Sequence, residues 1–355
     1  MESVIELVRE QFTERERTLV TAGSLGARVF RYESGVEAVR LTNDKGEAIL
    51  LPFMGQMVWR LSFLGRDLTM RSIFGEPQPC RDCFTESYGC FVMHCGMTAM
   101  GNPTAADTHP PHGELPFADY QRAYLRCGED ERGAYLALGG VYTHKRASEL
   151  HYEFCPECRL YAGATQIELT VAVTNRKDLP LEYYYLCHIN HRPVDGARLY
   201  DTARGITVHR EVPDGYPEPM KSATEAYLDR LEADPNVMRV IDQKEQSYAP
   251  EIVFTCDYAA DENGEAHTMM LLPDGYACYV RHRPDELPYG VRWIARTKDE
   301  DAIGMVLPAT AQHLGRNYCR EHGQQRVLLC GETATFHMCT GLLTPEQAND
   351  MKQKF

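Results

Sequence analysis

Two stretches of the chain carry the side chains best suited to moving protons. The first, Tyr183-Tyr184-Tyr185-Leu186-Cys187-His188-Ile189-Asn190-His191, sets two imidazoles and an amide inside an apolar, aromatic pattern. Read as a strand, it places His188 and Asn190 on one face and Ile189 and His191 on the other. Polar groups on a buried face need partners, which neighbouring strands or a ligand would supply. The second stretch, Thr108-His109-Pro110-Pro111-His112-Gly113-Glu114, adds two imidazoles and a carboxylate. If the fold joins these two stations, they can donate and accept protons near neutral pH.

Further positions are open to both a structural and a functional reading. His94 precedes Cys95-Gly96, where glycine permits close approach of backbone or ligand, so it lines a pocket or packs in the core. Trp59 and Arg60 fall on a hairpin strand, where alternation buries the tryptophan and turns Arg60 toward solvent or a pocket. His109 and His191 stand one step from better candidates and read as wall or surface residues. Cys80/Cys83 and Cys155/Cys158 have CxxC spacing, but the pairs lie much further apart than in a compact zinc ribbon, so no metal site is assigned to them.

The elements that must position these residues are mostly strands. Short runs rich in β-branched and aromatic residues recur from about residue 26 to about residue 343, separated by turn residues. Leu64-Gly65-Arg66 marks a hairpin turn. Residues 2–18 suit an amphipathic helix capping one edge, with Val4, Ile5, Leu7, Val8 and Phe12 as its apolar positions. Residues 218–243 read as a helical insert, and 344–354 as a terminal helix with Thr344 as N-cap, Pro345 at the first position and Gln347 closing a capping box. The expectation is an all-β fold, a large antiparallel β-sandwich with short peripheral helices, in which residues 1–355 form a single domain.

Composition removes several function classes. The net charge is −14 and no basic cluster appears, which argues against nucleic acid. No apolar run is long enough to cross a membrane as a helix, no signal peptide opens the chain, and the thirteen cysteines are an odd number, so a cytoplasmic protein with reduced thiols is expected. No P-loop or dinucleotide fingerprint is present.

The order of motifs resembles the galactose mutarotase-like superfamily, the aldose 1-epimerases and their epimerase-like relatives. The matching residues are Gly55-Gln56-Met57-Val58-Trp59 with Gly65-Arg66-Asp67-Leu68, then His94-Cys95-Gly96-Met97 with Met100-Gly101-Asn102-Pro103. His112-Gly113, Asn175, His188-Ile189-Asn190 and Leu329-Cys330-Gly331-Glu332-Thr333 follow in order. The resemblance implies a supersandwich whose concave face holds a monosaccharide or sugar derivative, with no metal or organic cofactor. It implies His188 as acid toward the ring oxygen, His112 as a second catalytic group holding the same end of the sugar, and Asn190 as a sugar contact. His94, Glu114, His109 and Arg60 are further candidates for substrate binding.

One departure stands out. Where the family carries a basic glutamate on a late strand, Gly304-Met305-Val306-Leu307-Pro308-Ala309-Thr310 places Leu307, which cannot accept a proton. The family's arginine before the histidine-glycine motif has no clear match within Cys95–Pro103. Glu114, His94, His109 and Glu332 are the candidates to replace the base, Glu332 reading rather as a solvated turn residue. Two alternatives therefore stay open: sugar binding without turnover, and a metal-dependent sugar isomerase or lyase. The latter would use the HxxH pairs His109/His112 and His188/His191 with Glu114, although residues 188 and 191 point to opposite faces of a strand.

Overall fold

The runs of β-branched and aromatic residues build two large antiparallel sheets in the computed structural model, which describes residues 2–80, 83–210, 212 and 215–355. Among the described residues the larger sheet has thirteen strands and the smaller nine. The larger runs in the order Ala203–His209, Ile252–Tyr258, Tyr289–Arg296, Asp301–Ala309, Leu181–Ile189, Val92–Met97 and Val58–Phe63, then outward through Gly46–Leu50 to Arg17–Ala22. Chain order and spatial order differ at its centre, where Leu181–Ile189 lies between Val92–Met97 and Asp301–Ala309. That crossing gathers distant parts of the chain around His188.

Alternation along Leu181–Ile189 divides two apolar clusters. Tyr183, Tyr185, Cys187 and Ile189 enter the core between the sheets, and Tyr184 and Leu186 join a second cluster on the opposite face with Trp59, Met93, Cys95, Trp293 and Leu307. Tyr185 stacks on Phe336 with ring centroids 5.1 Å apart, tying the larger sheet to the strand Thr333–Leu343 of the smaller. Each such buried aromatic contributes about 1.5–3 kcal/mol relative to exposure. The fold class is thus the all-β sandwich read from the sequence.

The N-terminal expectation is corrected. Ser3–Leu7 is a strand, followed by a short 3-10 turn at Arg9–Gln11 and the strand Arg17–Ala22. Ser3–Leu7 adds an edge to the smaller sheet, pairing Val4 with Arg126 and Leu7 with Ala123. Arg122 and Arg126 across the ladder ion-pair with Glu6 and Glu2, so cross-strand partners override the local helical spacing.

Helices are few and peripheral. α1 (Met220–Ala233) falls within the stretch 218–243 and buries Thr224, Tyr227, Leu228 and Leu231. α2 is the short Arg316–Glu321. α3 (Pro345–Lys352) starts with the Thr344–Gln347 capping box in place. Leu64 and Gly65 turn the Val58–Phe63 hairpin with φ of 52° and 73°, pairing Phe63 with Arg66. No helix among the described residues is long and apolar enough to cross a membrane.

Candidate functional site

His188 and Leu186 project from the second face of the larger sheet into a cavity of about 260 Å3. Val253, Val291, Trp293 and Leu307 complete its sheet side, and Phe84, Thr85 and Tyr88 line it from the short 3-10 helix Phe84–Ser87 and its C-cap. Asn102, His112 and His313 enter from other loops, and Glu251 and Glu300 add two carboxyl groups. The volume is just below the roughly 300–1,000 Å3 of clefts that hold drug-sized molecules, and suits a smaller ligand.

Asn190 fixes the state of His188. Its Nδ2 donates to the Cys90 carbonyl at 3.0 Å, which turns Oδ1 toward His188 Nδ1 at 2.6 Å. An amide oxygen only accepts, so His188 carries its proton on Nδ1. Nε2 then has a lone pair and, among the described residues, no hydrogen-bond partner. Burial lowers the His188 pKa to about 4, against the raising effect of the Asn190 bond, so the ring is neutral near pH 7.

His112 reaches the cavity through a strained turn. It adopts φ 61°, uncommon for a residue with a side chain, and its backbone is held by Gly101 and Gly96 at 2.9 Å each. Gly113 follows at φ 74°, and a Cβ there would lie 2.3 Å from the Gly96 and Ala99 carbonyls. Only glycine lets the turn press this closely on the strand. The His112 ring then meets His188 edge-on, with centroids 5.5 Å apart. Its Nδ1 is buried without a partner, and burial, with His188 and His109 nearby, holds its pKa near 3. His313 repeats this state: Nδ1 is buried and unpartnered, and burial lowers the pKa to about 3.

The two carboxyl groups differ. Trp293 Nε1 donates to Glu251, whereas Glu300 Oε1 is buried with no partner. Burial, then the charge of Glu251, raises the Glu300 pKa to about 7. Sequence reasoning missed both, and missed His313. Glu300 sits in the turn between Tyr289–Arg296 and Asp301–Ala309, where Lys298-Asp299-Glu300-Asp301 reads as a solvated charge run.

The structure brings His188 and His112 to the cavity wall; Asn190, expected as a sugar contact, is instead fully buried behind His188 with its amide bound to His188 and Cys90, and the other candidates stand elsewhere. His94 faces the inter-sheet core, where Nδ1 lies 2.8 Å from the Tyr185 hydroxyl and Phe154 meets its ring. Glu114 accepts from Thr98 and from Tyr152 Oη at 2.6 Å, which engages it in tying a loop to a strand. His109 Nδ1 contacts the Pro110 carbonyl and Nε2 accepts from Arg316 N, outside the cavity wall. Arg60 donates to the Gly89 and Phe74 carbonyls at 2.7 and 3.1 Å, so it anchors the loop that carries Tyr88. Glu332 is on an exposed turn, accepting from Leu329 N. Leu307 does line the cavity, so the position read as lacking a base is at the site and is apolar.

The proposed four-imidazole metal set is not assembled. His191 faces the other sheet, against Phe91 and 3.4 Å from Thr340 Oγ1, and His109 is turned to Pro110 and Arg316. Cys155 and Cys158 are three residues apart on one strand and so point to opposite faces. The group of possible metal-ligating side chains among the described residues is Asp261, Glu265 and His267, outside the cavity, with Lys354 Nζ 3.0 Å from Asp261.

Comparison with known proteins gives the fold a context. The model of the family described as "Domain of unknown function (DUF4432)" matches residues 33–342. No curated protein matches the chain in sequence. A crystal structure of a "putative aldose 1-epimerase" from Klebsiella pneumoniae subsp. pneumoniae superposes with a TM-score of 0.81 at 17% identity, covering 100% of this chain and 95% of that one. A galactose mutarotase-like protein from Clostridium acetobutylicum gives a TM-score of 0.59 at 13% identity, covering 91% of this chain and 100% of the other. The GalM/aldose epimerase homologue from C. elegans gives 0.54 at 10% identity, covering 84% and 96%. Likeness at such identities establishes the fold, the galactose mutarotase-like β-sandwich.

Proposed function

Since the chain belongs to the family described as "Domain of unknown function (DUF4432)" and has a galactose mutarotase-like fold, we propose that it binds an aldose or close derivative in this cavity and interconverts its anomers by acid–base ring opening. The observation that carries this reading is the set of buried unmet polar atoms on residues lining one cavity, His112 Nδ1, His313 Nδ1 and Glu300 Oε1, beside the His188 ring whose Nδ1 is already bound to Asn190. A buried polar atom left without a partner costs about 1–3 kcal/mol, and a ligand rich in hydroxyl groups relieves that cost. Tyr88, Trp293 and Phe84 supply ring faces and edges for the C–H surfaces of a sugar.

Ring opening needs one group to take the anomeric hydroxyl proton and another to give a proton to the ring oxygen. Imidazoles and carboxyl groups at one small cavity fit that pair of tasks, and both residue types are present despite Leu307. Among the described lining residues none is lysine or arginine, which favours an uncharged sugar over a sugar phosphate.

The test is NMR anomer-exchange spectroscopy with a panel of aldoses, sugar acids and sugar phosphates, before and after chelation. Accelerated exchange of an uncharged aldose that survives chelation is the expected result. Ligand line-broadening without acceleration would replace the reading by sugar binding alone, the role that Leu307 favours. Acceleration abolished by chelation would replace it by metal-dependent chemistry.

A further inference from the structure

We propose that, with Leu307 unable to act as a base, His188 takes the acceptor role instead of the acid role the resemblance implies for it, and Glu300 becomes the proton donor. This deepens the anomer-exchange reading and rests on it. The polarity follows from the hydrogen bonds of His188. With Nδ1–H committed to Asn190 Oδ1, the Nε2 lone pair is the reactive end of a neutral ring, and an acceptor is what that end can be. A second group must then supply the ring-oxygen proton.

Glu300 is the carboxyl group in the right state to do so. Glu251 is engaged by Trp293 Nε1–H, whereas Glu300 Oε1 is buried, unpartnered and on the same cavity as His188. Placing two carboxyl groups together keeps one of them protonated when the other is charged. Burial and Glu251 raise Glu300 to about 7. Tyr88 at the C-cap of Phe84–Ser87, Glu251 ahead of Ile252–Tyr258, His188 on its strand, and His112 and His313 from two loops are the titratable groups around this cavity. On the Glu300 hairpin itself, Arg296 and Asp301 bind each other at 2.7 Å.

The step balances without a co-reactant. The anomeric O–H proton passes to His188 Nε2, the oxygen lone pair forms the C1=O bond, and the bond from C1 to the ring oxygen breaks. The ring oxygen takes the Glu300 proton, leaving imidazolium and carboxylate beside an open-chain aldehyde. After rotation about C1–C2 the same transfers run backward onto the other face of the carbonyl. Proton count and charge are restored at closure.

The test is the pH dependence of anomer exchange in the full-length wild-type protein and in Glu300→Gln, with melting temperature and sugar binding measured on both. The expected wild-type rate falls as pH rises through about 7, where Glu300 loses its proton, and falls again as pH drops toward about 4, where His188 gains one. Glu300→Gln should lose about a hundredfold or more in kcat, within the range for a positioned proton-transfer group, while KM and melting stay close to wild type. Glu300→Asp, which keeps the carboxyl group, should recover part of the rate. An active wild type whose rate rises through pH 7, or a Glu300→Gln variant at full rate, overturns this proposal alone. A wild type inactive on every sugar overturns it together with the reading it rests on. If Glu300→Gln melts early, carbon-13 carboxyl NMR of the wild type decides: a glutamate signal titrating near pH 7 and perturbed by sugar supports the proposal, and its absence defeats it.

Discussion

His94 and His188 stand on paired strands of one sheet, and both are buried. His94 faces the second sheet, with Tyr185 Oη at Nδ1 and the Phe154 ring against its own. His188 faces the cavity, with Nδ1 bound to Asn190 and Nε2 left for something outside the protein. Burial lowers both pKa values, to about 3 and about 4. Residue type, depth and electrostatic state therefore fail to separate an imidazole engaged in the core from one that lines a cavity. The face of the strand separates them.

The sharpest way to break the comparison is to empty the cavity side. His188→Ala should slow anomer exchange by about 10²–10⁴, the usual contribution of a positioned proton-transfer group. Saturation-transfer NMR reads this directly, and an unchanged rate would remove His188 from the chemistry. Gly113→Ala should come next, because a Cβ 2.3 Å from two carbonyls forces the His112 turn away from the strand. We expect a loss of about 1–3 kcal/mol in urea unfolding, as for other overpacked positions, together with a slower exchange rate.

The inter-sheet side should respond in stability alone. His94→Phe leaves the Tyr185 hydroxyl without this partner and should cost about 1–3 kcal/mol, with kcat within about twofold of wild type. Its pH signature is specific. Burial holds folded His94 near 3 against an ordinary 6.5, so between those values the unfolded chain binds a proton that the folded chain does not. That contribution is complete above about 6.5 and is lost as pH falls toward 3, at up to about 1.4 kcal/mol per pH unit. His94→Phe should flatten this slope in denaturation measured from pH 7 to pH 4. Glu332→Ala, on an exposed turn, should change stability by no more than about 0.5 kcal/mol and leave exchange untouched.

The sequence was legible where a period of two was enough. Alternation over Tyr183–His191 correctly set His188 with Asn190 and apart from His191, and the turn at Leu64-Gly65 and the cap at Thr344 carried their own local chemistry. It was opaque where a second segment supplies the meaning. Alternation says that His94 has neighbours on one face, but which face meets the second sheet depends on pairing register, and a slip of one residue reverses the answer. Glu300 lies in a charged turn, and the cavity it lines is shared with the distant Phe84, Thr85 and Tyr88. Ser3–Leu7 has helical spacing, yet it follows the open edge of Arg122–Asp130.

Asn190 ties more than an imidazole. Its N–H donates to the Phe91 carbonyl at 2.7 Å, its carbonyl accepts from Met70 N at 3.1 Å, and its amide joins Cys90 to His188. The proton on His188 Nδ1 is therefore held against a side chain that is itself fixed by backbone bonds on both of its neighbouring segments. Such a proton is expected to give a far-downfield resonance that needs no label, and a shift of that resonance on adding a sugar would report a molecule at the opposite nitrogen of the ring.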